Sequence, residues 1–188
     1  MSASPTEHFE HAEHAEHAAH SGDRFLAVVS VTIAVLAVAA ATVGSFETLE
    51  SGQAISDKNE SVLLQNKAAD TWSFFQANSI KKNLFDIAAG STPARAADYE
   101  AKSHDYEQQQ AEARKEAEAL ERERDAALAQ SNRHEHRHHV LTLGVTLIHV
   151  AIAVATVSII MRGRRWPWHA SMALGAVGIL VSAYAYLG

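Results

Sequence analysis

The chain has 188 residues, a formal net charge of −6, 12 histidines and no cysteine. The absence of cysteine excludes disulfides, thiolate metal sites and cysteine nucleophiles. Hydrophobic residues make up 47 % of the chain and are gathered into long runs, a distribution that argues against an ordinary soluble core.

Residues 1–24 form a low-complexity tail in which Glu7, Glu10, Glu13 and Glu16 are each followed by a histidine. With few large apolar groups, this tail is expected to be disordered or only loosely helical. No cleavable signal peptide is expected, because the apolar run that follows is too long for a signal core and the tail is acidic. That run, residues 25–46, is uncharged and long enough to cross a bilayer, for which roughly 20 apolar residues suffice.

Residues 47–139 are polar and carry one obvious break, Gly90-Ser91-Thr92-Pro93, close to their middle. A glycine at the end of one helix and a proline in the first turn of the next predict a helical hairpin with its turn near 90–93. Residues 140–161 are a second apolar run, broken only by His149. Residues 162–169 are a basic turn with Arg162, Arg164 and Arg165 beside Trp166 and Trp168, and residues 170–187 are a third, shorter apolar run. The expected fold is therefore all-α: a membrane protein with three transmembrane helices and a long antiparallel coiled-coil hairpin between the first and second. Short arginine-rich loops stay cytoplasmic and tryptophans sit at the interface. The turn at 162–169 accordingly predicts a cytoplasmic N-terminus and a hairpin on the opposite side, although Arg133 and Arg137 argue the other way.

The two arms of the hairpin read differently. In the second, Tyr99, Tyr106, Ala113, Leu120 and Ala127 repeat every seven residues, a coiled-coil seam diluted by Gln110 and Arg124. In the first, at 100° per residue, Trp72 and Phe75 share a face with Ala68; Ile80, Leu84 and Ile87 lie on a second, and Phe74 with Phe85 on a third. A helix that is apolar on several sides must be covered on several sides. We therefore expect Trp72, Phe74, Phe75, Gln76, Ile80 and Leu84 to form an interface between copies of the chain. The alternative is a single internal contact with some aromatics left exposed.

The stretch SDKNESVLLQNKAADTWSFFQANSIKKNLFDIAA, residues 56–89, follows a span and precedes an acidic helix, a histidine-rich junction and RGRRWPWHASMALGAVG. In this order the segments resemble the bacterial family called domain of unknown function 4337, over nearly everything after the tail. The most specific part is Ala69-Asp70-x-Trp72-x-Phe74-Phe75-Gln76-Ala77-x-Ser79-Ile80-Lys81. Where the family tends to have two tyrosines and a lysine, this chain has Phe74, Phe75 and Asn78, which removes two hydroxyls and a charge. The resemblance implies a three-span protein of the bacterial inner membrane with a coiled hairpin, and it implies no activity.

Several residues are candidates for chemistry. His8, His11, His14, His17 and His20 are spaced by three, so neighbours on a helix come within reach of one zinc, copper or nickel ion. The spacing drifts by about 60° per step, so all five cannot share one site. The plainer reading is a soluble repeat with weak, unselective metal binding, and a pH-responsive tail is a third. His134 and His138, four residues apart on one helix face at the membrane junction, are further candidate metal ligands; they would line a collar in a ring of subunits or simply sit among lipid headgroups. His149 is the one clearly ionisable group inside a span, a candidate intramembrane polar site. Pairs of small residues, Ala40 with Gly44, Ala151 with Ala155 and Ser171 with Gly175, would allow close helix packing.

No phosphate-binding glycine loop, nucleophile elbow or zinc-protease helix motif occurs. The second arm's charges alternate in sign, so it is no nucleic-acid stripe. The function expected is non-enzymatic and cofactor-free: a scaffold that self-assembles in the lipid bilayer as a homo-oligomer, with an unidentified membrane protein as a further candidate partner. A channel or transporter is the second expectation, and metal binding or pH sensing by the tail the third.

Overall fold

The computed structural model describes residues 24–161 and 164–187. Among them are three α-helices and no strand: α1 (Arg24–Ser91), α2 (Ala96–Ile160) and α3 (Arg165–Tyr184), with a 3₁₀ turn at Pro93–Arg95. The first apolar run and the first arm are thus one helix, and the second arm and the second apolar run another. The helix continues through Gly90 to Ser91, and the amide of Thr92 still donates to Ala88 O at 3.0 Å. Pro93 has no N–H with which to extend that ladder, so α1 stops there. The amide of Arg95 then closes the turn on Thr92 O at 3.0 Å, and Asp98 stands in the first turn of α2, where the helix dipole favours a carboxylate.

The described residues divide into two compact units, one made of those up to 53 and from 133 on, the other of 54–132. In the first, Val29, Ile33, Leu36 and Ala40 of α1 meet Ile148, Ala151, Ile152 and Ala155 of α2 in one core, with Trp168 and Leu174 of α3 packed against it. The buried face of α3 is Pro167, Ser171, Gly175, Gly178 and Ser182. Such small residues bring helix axes together. A Cβ on Gly178 would lie 2.8 Å from Ile148 Cγ1 and 2.9 Å from the carbonyl oxygen of Gly144, and one on Gly175 would lie 2.6 Å from Leu36 Cδ2. Toward the start of α1, Trp168 Nε1 donates to Thr32 Oγ1 at 3.1 Å, and Phe25 meets the Trp168 ring edge-on at 6.0 Å.

The second unit is an antiparallel pair of helices. Successive ties run from Ser131 Oγ to Ala54 O (2.8 Å), through Arg124 Nη1 to Gln65 Oε1 (2.5 Å) and Trp72 Nε1 to Glu121 Oε1 (2.9 Å), to Ser103 Oγ, which donates to Asp86. Phe85 lies against both Tyr99 and Tyr106, stacked on the latter at 5.6 Å. Burial advances in alternating steps of three and four: Ser61, Leu64, Ala68, Thr71, Phe75, Asn78, Lys82 and Phe85 on α1, and Ser103, Tyr106, Gln110, Ala113, Ala117, Leu120, Arg124, Ala127 and Ser131 on α2. Ala68, Ala113 and Ala117 are 1 %, 3 % and 0 % exposed. Asn78 is fully buried in the same seam, and the Nδ2 and Oδ1 of its amide have no hydrogen-bond partner among the described residues.

Candidate functional site

Where the apolar stretches of α1 and α2 give way to polar sequence, the first unit brings two carboxylates, two imidazoles and a guanidinium together. Glu47 and Glu50 are three residues apart, as are Arg137 and His134, while His138 follows His134 by four; on a helix each set shares a face. Glu50 is 6 % exposed. Its carboxylate accepts from His134 Nδ1 at 2.5 Å, lies 4.0 Å from Arg137 Nη1, and takes a hydrogen bond from the Tyr186 hydroxyl. Glu47 accepts from Thr142 Oγ1 at 2.6 Å and stands 3.8 Å from His138 Nδ1. Arg137 also lies over the Tyr186 ring at 5.4 Å, and Phe46 meets that ring edge-on at 6.3 Å.

In this arrangement each of the two carboxylates has an imidazole beside it and a hydroxyl donor, and Glu50 has the Arg137 guanidinium as well. These contacts tie α1 to α2 and to the residues just after α3. A carboxylate taken out of water survives as an anion only with such partners. Among the described residues no three His, Asp or Glu side chains converge as a metal-ligand set. His134 and His138 instead engage different carboxylates. Glu47, Glu50 and Tyr186 are cluster members that sequence reasoning did not single out. The signal available was two glutamates one turn apart at the end of an apolar run, opposite a histidine-rich run of the antiparallel helix.

The remaining sequence-predicted residues scatter. His8, His11, His14, His17 and His20 lie outside the described residues. His149 is on the exposed side of α2, away from the core built by Ile148, Ala151 and Ile152. Trp72 and Phe75 are half-buried against α2 in the second unit, their rings edge-to-face at 5.3 Å. Phe74, Ile80 and Leu84 are 51 %, 70 % and 62 % exposed, and Gln76 is exposed beside them. Phe74 and Phe85 part company: Phe85 is in the buried seam and Phe74 is outside it. Over eleven residues a 3.6-residue repeat would keep the two aligned, but burial here recurs every 3.5 residues, which separates them.

Near the turn, Asp86 links two partners. Ser103 donates to one of its oxygens and Lys82 Nζ lies 2.9 Å from the other. The hydrogen bond from Ser103, then that from Lys82, holds the Asp86 carboxyl below its ordinary value, while the bond to Asp86 and its charge raise the Lys82 ammonium above its own.

The fold and this cluster define an all-helical protein with two helices long and apolar enough to cross a membrane. The chain belongs to the family described as domain of unknown function (DUF4337), whose family model matches residues 25–188. Comparison with curated proteins and with solved structures finds no match.

Proposed function

We propose that this chain is a non-enzymatic integral membrane protein that self-assembles through its helical hairpin in a structural or scaffolding role. The observation that carries the proposal is an unpartnered apolar stripe on α1. Ile80, Leu84 and Ile87 are 70 %, 62 % and 68 % exposed, and they lie at i, i+4 and i+7 on the side of the helix away from the buried seam. The seam toward α2 makes the hairpin a coiled coil within the chain; the outer stripe offers a second seam to another copy. Of the residues assigned to the interface, Phe74, Gln76, Ile80 and Leu84 belong to the outer surface. Trp72 and Phe75 support it from within by fixing α1 against α2.

Membrane insertion draws on the first unit. Val31, Val35 and Val38 on α1 and Leu143 on α2 are each more than 60 % exposed, surface that water would not tolerate and lipid would cover. In this reading α3 is the third span. It is short, and its first turn, with Arg165, Trp166 and Trp168, suits a headgroup layer.

The test is the particle mass of the purified full chain in a defined detergent, corrected for bound detergent. The wild type is expected as a discrete multiple of the chain mass, and Ile80→Lys with Leu84→Lys is expected to lower it while helix content is unchanged. A monomeric wild type, or a double variant of unaltered mass, would overturn the proposal.

A further inference from the structure

Between α1 and α3 of the first unit runs an apolar groove of about 540 Å³, lined by Ala27, Val31 and Val35 on one side and Met172, Ala176 and Ile179 on the other. Thr32 is the lone polar lining residue, and its hydroxyl is occupied: it donates to Val28 O at 2.9 Å and accepts from Trp168 Nε1. The wall is thus chemically hydrocarbon throughout. Val28, Val31 and Val35 are 48 %, 63 % and 62 % exposed along it, so the groove opens outward from the bundle.

One end of this groove is basic on both sides. On α1, Arg24 precedes Ala27, Val28 and Val31 by three, four and seven residues, so it stands on the groove's own face, one turn beyond the apolar lining. On α3, Arg165 and His169 precede Met172 by seven and three residues and continue that helix's lining face in the same direction. All three are exposed, and the Arg165 guanidinium lies over the Phe25 ring at 5.7 Å, which holds it at the α1–α3 junction. Apart from Asp23, which lies outside the described residues, no carboxylate side chain occurs from residue 23 to 46 or from 136 to 188. Among the described residues of these stretches, then, Arg24, Arg165 and His169 stand with no carboxylate side chain interspersed.

We infer that this groove is a binding site for an anionic phospholipid of the surrounding bilayer, with an acyl chain along Ala27–Val35 and the phosphate between Arg24, Arg165 and His169. The inference rests on the membrane reading above. A hydrocarbon groove alone would suit any lipid tail. The charge complementarity at its mouth selects the headgroup, since a guanidinium pairs with phosphate in a forked, directional way that an ammonium-bearing zwitterion partly cancels.

The experiment reconstitutes the full chain into vesicles of equal phosphatidylglycerol and phosphatidylcholine, checks flotation, and counts lipid retained by native mass spectrometry after detergent release. Wild type is expected to float and to retain one phosphatidylglycerol with about a thirtyfold preference, which is roughly 2 kcal/mol for the two arginines together. Arg24→Gln with Arg165→Gln is expected to float but bind the two lipids equally. Ala176→Trp, which fills the groove, is expected to lose both adducts. Equal retention by the wild type, or a preference that survives the arginine changes, would overturn the lipid site while flotation kept the membrane reading standing. A chain that does not float would overturn both.

Discussion

Glu50 shows how much of this molecule depends on single polar groups. Its carboxylate is all but removed from solvent and is held by His134, with Arg137 and Tyr186 around it. Removing one partner of a charge-assisted hydrogen bond in such a place leaves the other desolvated and unpaired, at a cost of about 2 kcal/mol. Glu50→Ala and His134→Ala are each expected to lower the thermal midpoint in detergent. Because they delete one shared contact, the double variant should fall well short of the sum; strictly additive losses would mean the pair is not coupled. Asp86 makes a different, exposed contribution. Its carboxyl is held below the ordinary 3.8, so what it adds is intact above that value and is lost as pH falls through the lowered folded value. The gap in melting temperature between wild type and Asp86→Ala should be flat from neutrality to about pH 5 and close under stronger acid. A gap that does not begin to narrow as pH falls below about 3.9, the value of a free aspartate, would refute that assignment.

At the scale of elements, the contact between α2 and α3 is set by the lack of side chains. A Cβ on Gly144 would sit 2.1 Å from Ser182 Oγ and 2.9 Å from Gly178 O. A backbone oxygen cannot step aside, so Gly178→Val should push α3 off α2, at about 1–3 kcal/mol for overpacking. The expected signs are a lower midpoint and faster proteolysis within residues 164–187, whereas Gly44→Val, where a Cβ would meet nothing within 4 Å, should be neutral. Equal behaviour of the two variants would refute the close approach. Small-residue spacing in the sequence pointed to Ser171 and Gly175, both buried here, but not to Gly144 with Gly178. The two glycines lie on different helices, and no spacing along one chain records which helices meet. The seven-residue repeat from Tyr99 to Ala127 was legible, because every member of it shares the face that turns toward α1. The faces of α1 were less so, since the small drift between a 3.6- and a 3.5-residue repeat accumulates over a long helix and puts Phe85 inside and Phe74 outside.

For the whole molecule, assembly depends on which apolar surfaces remain after the chain has satisfied itself. Trp72 and Phe75, the aromatics most conspicuous in the sequence, are engaged by Glu121 and by each other. The outer stripe of Ile80, Leu84 and Ile87 is what a second copy would have to cover. That is why the lysine substitutions are placed at Ile80 and Leu84 rather than at Trp72. A stripe of this kind also predicts that thermal stability of the wild type rises with protein concentration and that this dependence disappears in the double lysine variant, because only the assembled state buries it. Concentration-independent melting of the wild type would contradict a second seam.

Helix, length and apolar clustering were determined by the sequence alone, because each depends on local composition and spacing: the uncharged runs, the break before Pro93 and the heptad spacing are properties of neighbours along the chain. The same holds for the family, which residues 25–188 identify. Which groups are paired was decided only by the tertiary structure. That His134 faces Glu50 and that Glu47 is held by Thr142 depend on the register of antiparallel helices, and that Arg24 and Arg165 stand at one end of one groove depends on α1 and α3 running side by side in the same direction. Register is set by the sum of many weak seam contacts between residues far apart in sequence, and such a sum has no signature at any one position.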